Sequence, residues 1–240
     1  MFEIFAPLYF YSGAFFGVLN LKTKDNIKKI SVIGMLCAVA YLCMFLFKFK
    51  ISFLTFDLKD AFLAIIAFLY GPLYSIVSAI LVAVLEFLSV SDTGIYGLIM
   101  NALSSAAFAG TCGAFYKYKR TFNGAVTGAI AAVLVMTAIM LVANWFITPY
   151  YMGVARGQVA AMIPTLLLPF NLIKGVVNMG LTLIIYKPVT AAFKKTGLIT
   201  VGNYTNKKKF TVLSFISAIL IILCILFIFV LFDGEFQLFG

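Results

Sequence analysis

The sequence predicts an all-α polytopic membrane protein, on three observations. Its 240 residues are 64% hydrophobic and 11% charged, whereas a soluble domain carries about 25% charged residues. Its mean hydropathy is +1.11. Its apolar residues gather into runs long enough to cross a bilayer, joined by short loops that hold the basic residues. This leaves little mass for a soluble domain.

The composition also excludes several chemistries. With no histidine and only eight carboxylates, zinc or haem held by histidine and Ser-His-Asp triads are ruled out. The sequence holds no GxxxxGK[ST] loop for cradling nucleotide phosphates, so any use of ATP belongs to a partner. Cys37, Cys43, Cys112 and Cys224 lie in apolar runs without paired spacing and read as small core residues, neither disulfides nor metal ligands. The formal net charge of +10 sits in loops beside apolar runs, which indicates membrane topology and not nucleic-acid binding.

Residues 2–19 are apolar and aromatic but short, interrupted by Pro7 and Gly13, and fit either a span or an interfacial helix. With Glu3 and no Lys or Arg before Lys22 they lack the basic start of a secretory signal, so they are expected to stay in the mature protein. Lys22, Lys24, Lys28 and Lys29 then place the start of the run 30–47 in the cytoplasm. Within it Gly34 and Ala38 form a small-xxx-small pair that admits a second helix closely. The stretch 48–60 reads as an outer loop, with Phe49, Phe53 and Phe56 among its charges, able to fold over a planar ligand or to anchor at the lipid interface. A short run, 61–70, ends at Gly71-Pro72, a breaker that implies a tight cytoplasmic turn.

The third span, 73–89, carries Glu86 near its outer end, where an acid either serves a proton or cation or simply reaches water. The fourth, 95–115, carries Asn101 and ends in Lys117, Lys119 and Arg120; the fifth, 124–148, ends in Asn144 and an aromatic belt. After an outer loop with Arg156 comes the sixth, 163–186, where Asn171, Lys174 and Asn178 share one face. A lysine costs about 2.5–3.5 kcal/mol at a bilayer centre, so Lys174 is either functional or snorkels to the interface. The final run, 210–232, has almost no polar side chain beyond hydroxyls and reads as lipid-facing.

With this span count, the basic clusters 22–29, 117–120 and 187–209 share the cytoplasmic side, opposite Asp57, Asp60, Asp92, Asp233 and Glu235. Asn101, Asn144, Asn171 and Lys174 then lie on three helices in the outer half of the membrane, beneath the loop 48–60, and are expected to converge on one outward-facing pocket. Amides, an ammonium and aromatic rings suit capture of a neutral polar molecule with a flat ring, not acid-base catalysis. No internal repeat of the kind found in self-sufficient transporters stands out.

The Tyr70-Gly71-Pro72-Leu73 turn, the run Gly94-Ile95-Tyr96-Gly97-Leu98-Ile99-Met100-Asn101, Asn144 before Pro149-Tyr150, and Leu168-Pro169-Phe170-Asn171-Leu172-Ile173-Lys174-Gly175 together resemble the riboflavin-specific substrate-binding subunits (S components) of energy-coupling factor (ECF) transporters, over about residues 28–190. The resemblance implies a six-helix core over 22–195, with a hydrophobic segment 1–21 before it and a linker and extra C-terminal transmembrane helix in 196–240. It implies a multi-pass protein of the cell membrane, not an enzyme and without a cofactor. Such a protein captures riboflavin from outside and topples to release it inward with a transmembrane coupling subunit and two cytoplasmic ATPases. Asn144, Asn171 and Lys174 would hold the flavin, with Asn101 in the same pocket and the loop around Phe53, Leu54 and Thr55 covering it. Gly34 and Ala38 would meet the coupling subunit. Val82 and Ala83 stand where some relatives carry polar groups, so no contact is assigned there. The alternative reading is a secondary transporter, using Glu86 or Lys174 as a proton-coupling group, or an S component for another small solute.

Overall fold

Among the described residues, five helices long and apolar enough to cross a membrane are arranged around a sixth that is too short to do so. The computed structural model describes residues 24–90, 93–199, 214–224, 226 and 237–238. The segment 2–19, Asp92, the cluster Lys207 to Lys209 and the acids Asp233 and Glu235 lie outside the described residues. In chain order the elements are α1 (Lys24–Leu46), β1 (Phe49–Ile51), β2 (Leu54–Phe56), α2 (Lys59–Tyr70), α3 (Pro72–Ser89), α4 (Gly94–Tyr118), α5 (Phe122–Met152), α6 (Arg156–Met162), a π-helical turn (Ile163–Leu167), α7 (Leu168–Lys195), α8 (Ser214–Cys224) and β3 (Gln237–Leu238).

The central helix is α2. Twelve residues rise only about 18 Å, too little to span a bilayer. It therefore packs among α1, α3, α4 and α7, with Leu63, Ala64, Ile65 and Ile66 fully buried. At its lower end Gly71 adopts φ +100°, a left-handed conformation open to glycine, and Pro72 starts α3 at once, where its missing N–H costs nothing. The Gly-Pro turn expected from sequence is therefore present.

The space above α2 is filled by a β-hairpin. The sequence reading made 48–60 an irregular loop; instead β1 and β2 pair antiparallel, with Phe49 opposite Phe56 and Ile51 opposite Leu54. The alternation Lys48, Lys50, Ser52 against Phe49 and Ile51 carries that signal. Ser52 holds φ +57° at the reversal, a strained value for a non-glycine residue that brings the chain back within two residues. Strand β3 adds to the other edge of β1, so a three-stranded sheet sits on a helical protein.

The last long helix also differs from expectation. Arg156 is not in a loop; it is the first residue of a helical path that runs on to Lys195. The path widens at the π-turn, where the Leu168 N–H bonds back to the Ile163 carbonyl. Pro169 lacks an N–H, and its ring would crowd the Thr165 carbonyl of a regular α-helix; the wider turn relieves both.

Sidedness follows the charges. Lys28 donates to the Gly197 carbonyl at 3.0 Å and Lys29 lies 3.9 Å over the Tyr74 ring, at the end where Lys117 and Arg120 border the Gly71 turn. The hairpin caps the opposite end.

The junction between hairpin and α2 is held by α7. Leu58, at the N-cap of α2, has no side-chain oxygen to offer, so the orphan N–H of Ala61 donates instead to Asn178 Oδ1 at 3.1 Å. Asn178 Nδ2 donates in turn to the carbonyls of Asp57 at 3.0 Å and Lys174 at 3.1 Å. Asn178→Ala leaves buried backbone groups unpaired and is expected to destabilise the fold by about 1–3 kcal/mol, read as a lowered thermal unfolding midpoint. An unchanged midpoint would mean that the cap contributes nothing.

Candidate ligand-binding site

Between the hairpin tip, the start of α4, the end of α5 and the start of α7 lies a cavity of about 70 Å³. The hairpin supplies Phe53, Leu54 and Thr55 as its roof. Tyr96, Gly97, Met100, Asn101 and Ser104 come from α4, Met140, Asn144, Thr148 and Tyr151 from α5, and Phe170, Asn171 and Lys174 from α7. The seven residues that the sequence reading placed in one pocket thus border one cavity. Gly34 and Ala38 lie apart from it on α1, both exposed, and a Cβ added at Gly34 would meet nothing within 4 Å.

Each amide is oriented by its own helix. Asn144, fully buried, donates through Nδ2 to the Met140 carbonyl at 2.7 Å and accepts from Thr148 Oγ1 at 2.8 Å. Asn171 donates through Nδ2 to the Leu167 carbonyl at 2.7 Å, at the C-terminal edge of the π-turn. Its Oδ1 receives no hydrogen bond from the described residues. Asn101 is half-buried on α4. Phe170, Tyr96 and Tyr151 bring rings to the cavity: Phe170 is backed edge-on by Phe56 at 6.3 Å, which stacks on Phe49 at 4.7 Å, and Tyr96 meets Tyr151 at 6.1 Å, both partly exposed.

Lys174 does not snorkel. Its ammonium, 3% exposed, donates to Asp57 Oδ2 at 2.9 Å and to the Thr55 carbonyl at 3.4 Å, so it ties the end of the hairpin to α7. Asp57 Oδ2 also pairs with Lys59 at 2.8 Å; Lys59 lies 3.2 Å from Glu86, and Glu86 lies 3.3 Å from Lys48. An ionic chain therefore runs from α7 to α3 beneath the hairpin. Burial pushes the Asp57 carboxyl up, but the Lys174 and Lys59 ammoniums outweigh it and hold the group well below the usual carboxylate range. Asp57 thus stays ionised at any pH near neutrality.

This chain corrects one expectation. Asp57, Lys59 and Asp60, within the stretch expected as an outer loop, are all 0% exposed, and Glu86 is 2% exposed. Glu86 neither reaches water nor stands free for a proton or cation; it is occupied by Lys48 and Lys59. Asp60 accepts from Ser105 Oγ on α4.

Sequence reasoning passed over Phe170, Tyr96, Tyr151 and Thr148 as site residues and Asp57 as the partner of Lys174. Phe170 stands between Pro169 and Asn171 in the motif already singled out. Thr148 is one turn beyond Asn144, so helical spacing could have paired them. The Asp57 pairing, across 117 residues, leaves no local trace.

Among the described residues lining the cavity no carboxylate appears, and Lys174, the sole charged group, is neutralised by Asp57. Rings with oriented amides suit an uncharged ligand held by stacking and hydrogen bonds.

Comparison with known proteins agrees with this architecture. Residues 28–186 match the family described as ECF transporter, substrate-specific component. The riboflavin transporter RibU of Staphylococcus aureus (strain TCH60) is 31% identical over 190 residues, covering 75% of this chain and 98% of the relative. The riboflavin transporter FmnP of Bacillus subtilis (strain 168) is 26% identical over 164 residues, covering 63% and 86%. A solved S component of a bacterial ECF transporter superposes with a TM-score of 0.59 at 32% identity, over 70% of this chain and 98% of that one. The six-helix core formed by α1 to α5 with the α6–α7 path, and the outward cavity within it, are those of a multi-pass transport subunit, and the chain belongs to the substrate-specific component family of ECF transporters.

Proposed function

We propose that this chain captures riboflavin from outside the cell membrane and delivers it inward as the S component of an ECF transporter. The observation that carries the reading is one cavity in which rings from the hairpin and α7 stand beside the amides of Asn101, Asn144 and Asn171. The names of its Staphylococcus, Streptococcus and Bacillus relatives, all riboflavin transporters, support it. In this reading Phe53, Leu54 and Phe170 pack the flavin ring, while Asn144, Asn171, Lys174 and Asn101 meet its polar edge and hydroxyl chain. Thr55 closes the roof. The open Oδ1 of Asn171 is the first of these acceptors available to a ligand donor.

ATP hydrolysis belongs to partners: a transmembrane coupling subunit and two cytoplasmic ATPases. The exposed Gly34 and Ala38 on α1 offer a close-packing face for the coupling subunit. The alternative of a secondary transporter needs a titratable group free to exchange a proton, and both candidates, Glu86 and Lys174, are held in buried ion pairs.

The purified protein is expected to carry bound-flavin absorbance or to quench the fluorescence of micromolar riboflavin; no quenching would contradict the substrate assignment. Asn171→Ala is expected to weaken binding by about 1–3 kcal/mol by leaving a ligand donor unpaired. Unchanged affinity would give that amide another role. Gly34→Leu is expected to abolish uptake with riboflavin affinity intact; surviving uptake would place the packing face elsewhere.

A further inference from the structure

At the cytoplasmic end, opposite the hairpin, a second cavity of about 450 Å³ opens between the α2–α3 turn, the end of α4 and α7, within the usual size range of small-molecule sites. It is the roomier of the two, since the outer cavity has about 70 Å³. Capture of a ligand from outside makes no use of it. Basic and aromatic residues at this face of a membrane protein follow from topology alone, and they would call for no ligand if their polar groups were satisfied within the chain. Here they are not satisfied.

The polar side chains that line the cavity are Tyr70, Tyr74, Tyr116, Lys117, Arg120 and Tyr186. All are donors, and the phenol oxygens are the only side-chain acceptors among them. The phenolic oxygen of Tyr70 is shut from solvent and has no partner among the described residues. Tyr116 and Tyr186 meet hydroxyl to hydroxyl at 3.3 Å, and whichever of them donates, the other keeps an O–H without an acceptor among the described residues. Lys117 and Arg120 make no ion pair there either. The start of α3 borders the same space, and its N-cap, Gly71, has no side-chain oxygen for the orphan N–H groups of the first turn. Cations, unused phenolic protons and a helix N-terminus thus surround one space whose side chains supply no anionic acceptor.

We propose that this cavity is an anion site that takes a phosphate ester at the cytoplasmic face. A phosphate carries the negative charge that Lys117 and Arg120 leave unmatched, and it presents several acceptor oxygens at once. Arg120 takes two of them through parallel N–H donors, Lys117 supplies a point charge, and the phenols and the α3 N-terminus meet the others. A lone carboxylate would leave most of these donors unused. The remaining room admits the group to which the phosphate is esterified. That phosphate reaches the site from one of two sources. The first is the headgroup of an anionic phospholipid in the cytoplasmic leaflet, for which basic pockets between membrane helices are suited. The second is a soluble phosphate ester of the cytoplasm.

The test reads the thermal unfolding midpoint of the purified protein in detergent with added phosphatidylglycerol, phosphatidylcholine or inorganic phosphate. Phosphatidylglycerol is expected to raise the midpoint by at least about 3 °C more than phosphatidylcholine does. The same gain from millimolar inorganic phosphate identifies the soluble source; a gain from phosphatidylglycerol alone identifies the lipid. Lys117→Gln with Arg120→Gln is expected to abolish the gain, and Tyr70→Phe, which keeps every charge, to reduce it at least about twofold. Lys119→Gln, a neighbouring charge outside the lining, should retain it. Gains no larger than those from phosphatidylcholine and from sodium chloride of equal ionic strength overturn the site. So does a gain that survives in the double variant, or one that Lys119→Gln removes as fully, which would be general attraction to a basic surface. If the double variant does not fold, Tyr70→Phe decides, and an undiminished gain in it overturns the proposal. Riboflavin binding enters none of these readouts, so failure of the substrate reading leaves them intact.

Discussion

The Lys174–Asp57 ion pair is the constraint on which the site depends. A charged pair taken out of water must regain by Coulomb attraction and hydrogen bonding what it loses in hydration, and it does so only in a fixed geometry. Here that geometry joins the end of the hairpin to the first turns of α7, at 2.9 Å and without solvent. The roof and the α7 wall of the cavity are referred to it. The hairpin roof stands on Asp57, Asn171 lies one turn from Lys174, and Asn178, one turn further on, caps α2. Lys59 and Glu86 extend the tie to α3, and Lys48 closes it at the other end of the hairpin.

This arrangement explains why the polar face of α7 is so long. Asn171, Lys174 and Asn178 do not serve one purpose: the first opens to the cavity, the second links cavity to hairpin, and the third holds the start of a helix too short to span the bilayer. The π-turn ahead of them adds a residue to the path and fixes where Asn171 begins. Charge burial thus replaces the covalent or metal staple that a small soluble site would use.

Much of this was legible in the sequence, and the part that was not has a physical reason. The spans, the Gly71-Pro72 turn and the gathering of Asn101, Asn144, Asn171 and Lys174 follow from apolar run length, breakers and basic loops, all of which act locally. The hairpin was hidden because a three-residue strand gives one period of alternation, too little to outweigh charges that look solvated. The fate of those charges was hidden because burial of Asp57 depends on a lysine 117 positions away. Nothing in the stretch 48–60 distinguishes an acid that meets water from one that meets Lys174. The contact of α8 with Gly180 was hidden likewise, since a glycine in an apolar span has the same local look whether it faces lipid or a neighbour.

The most direct test of the central claim is a double-mutant cycle on riboflavin affinity with Asp57→Asn, Lys174→Met and both together. If the pair builds the site, Asp57→Asn leaves the Lys174 ammonium without a carboxylate beneath the roof, Lys174→Met leaves Asp57 to Lys59 alone, and the double variant binds more tightly than the sum of the two losses requires. A coupling of about 0.5–3 kcal/mol is the expected size for charges in contact. Losses that add without coupling would show that Asp57 and Lys174 act independently, and the account of the site as a hairpin seated on one ion pair would be wrong.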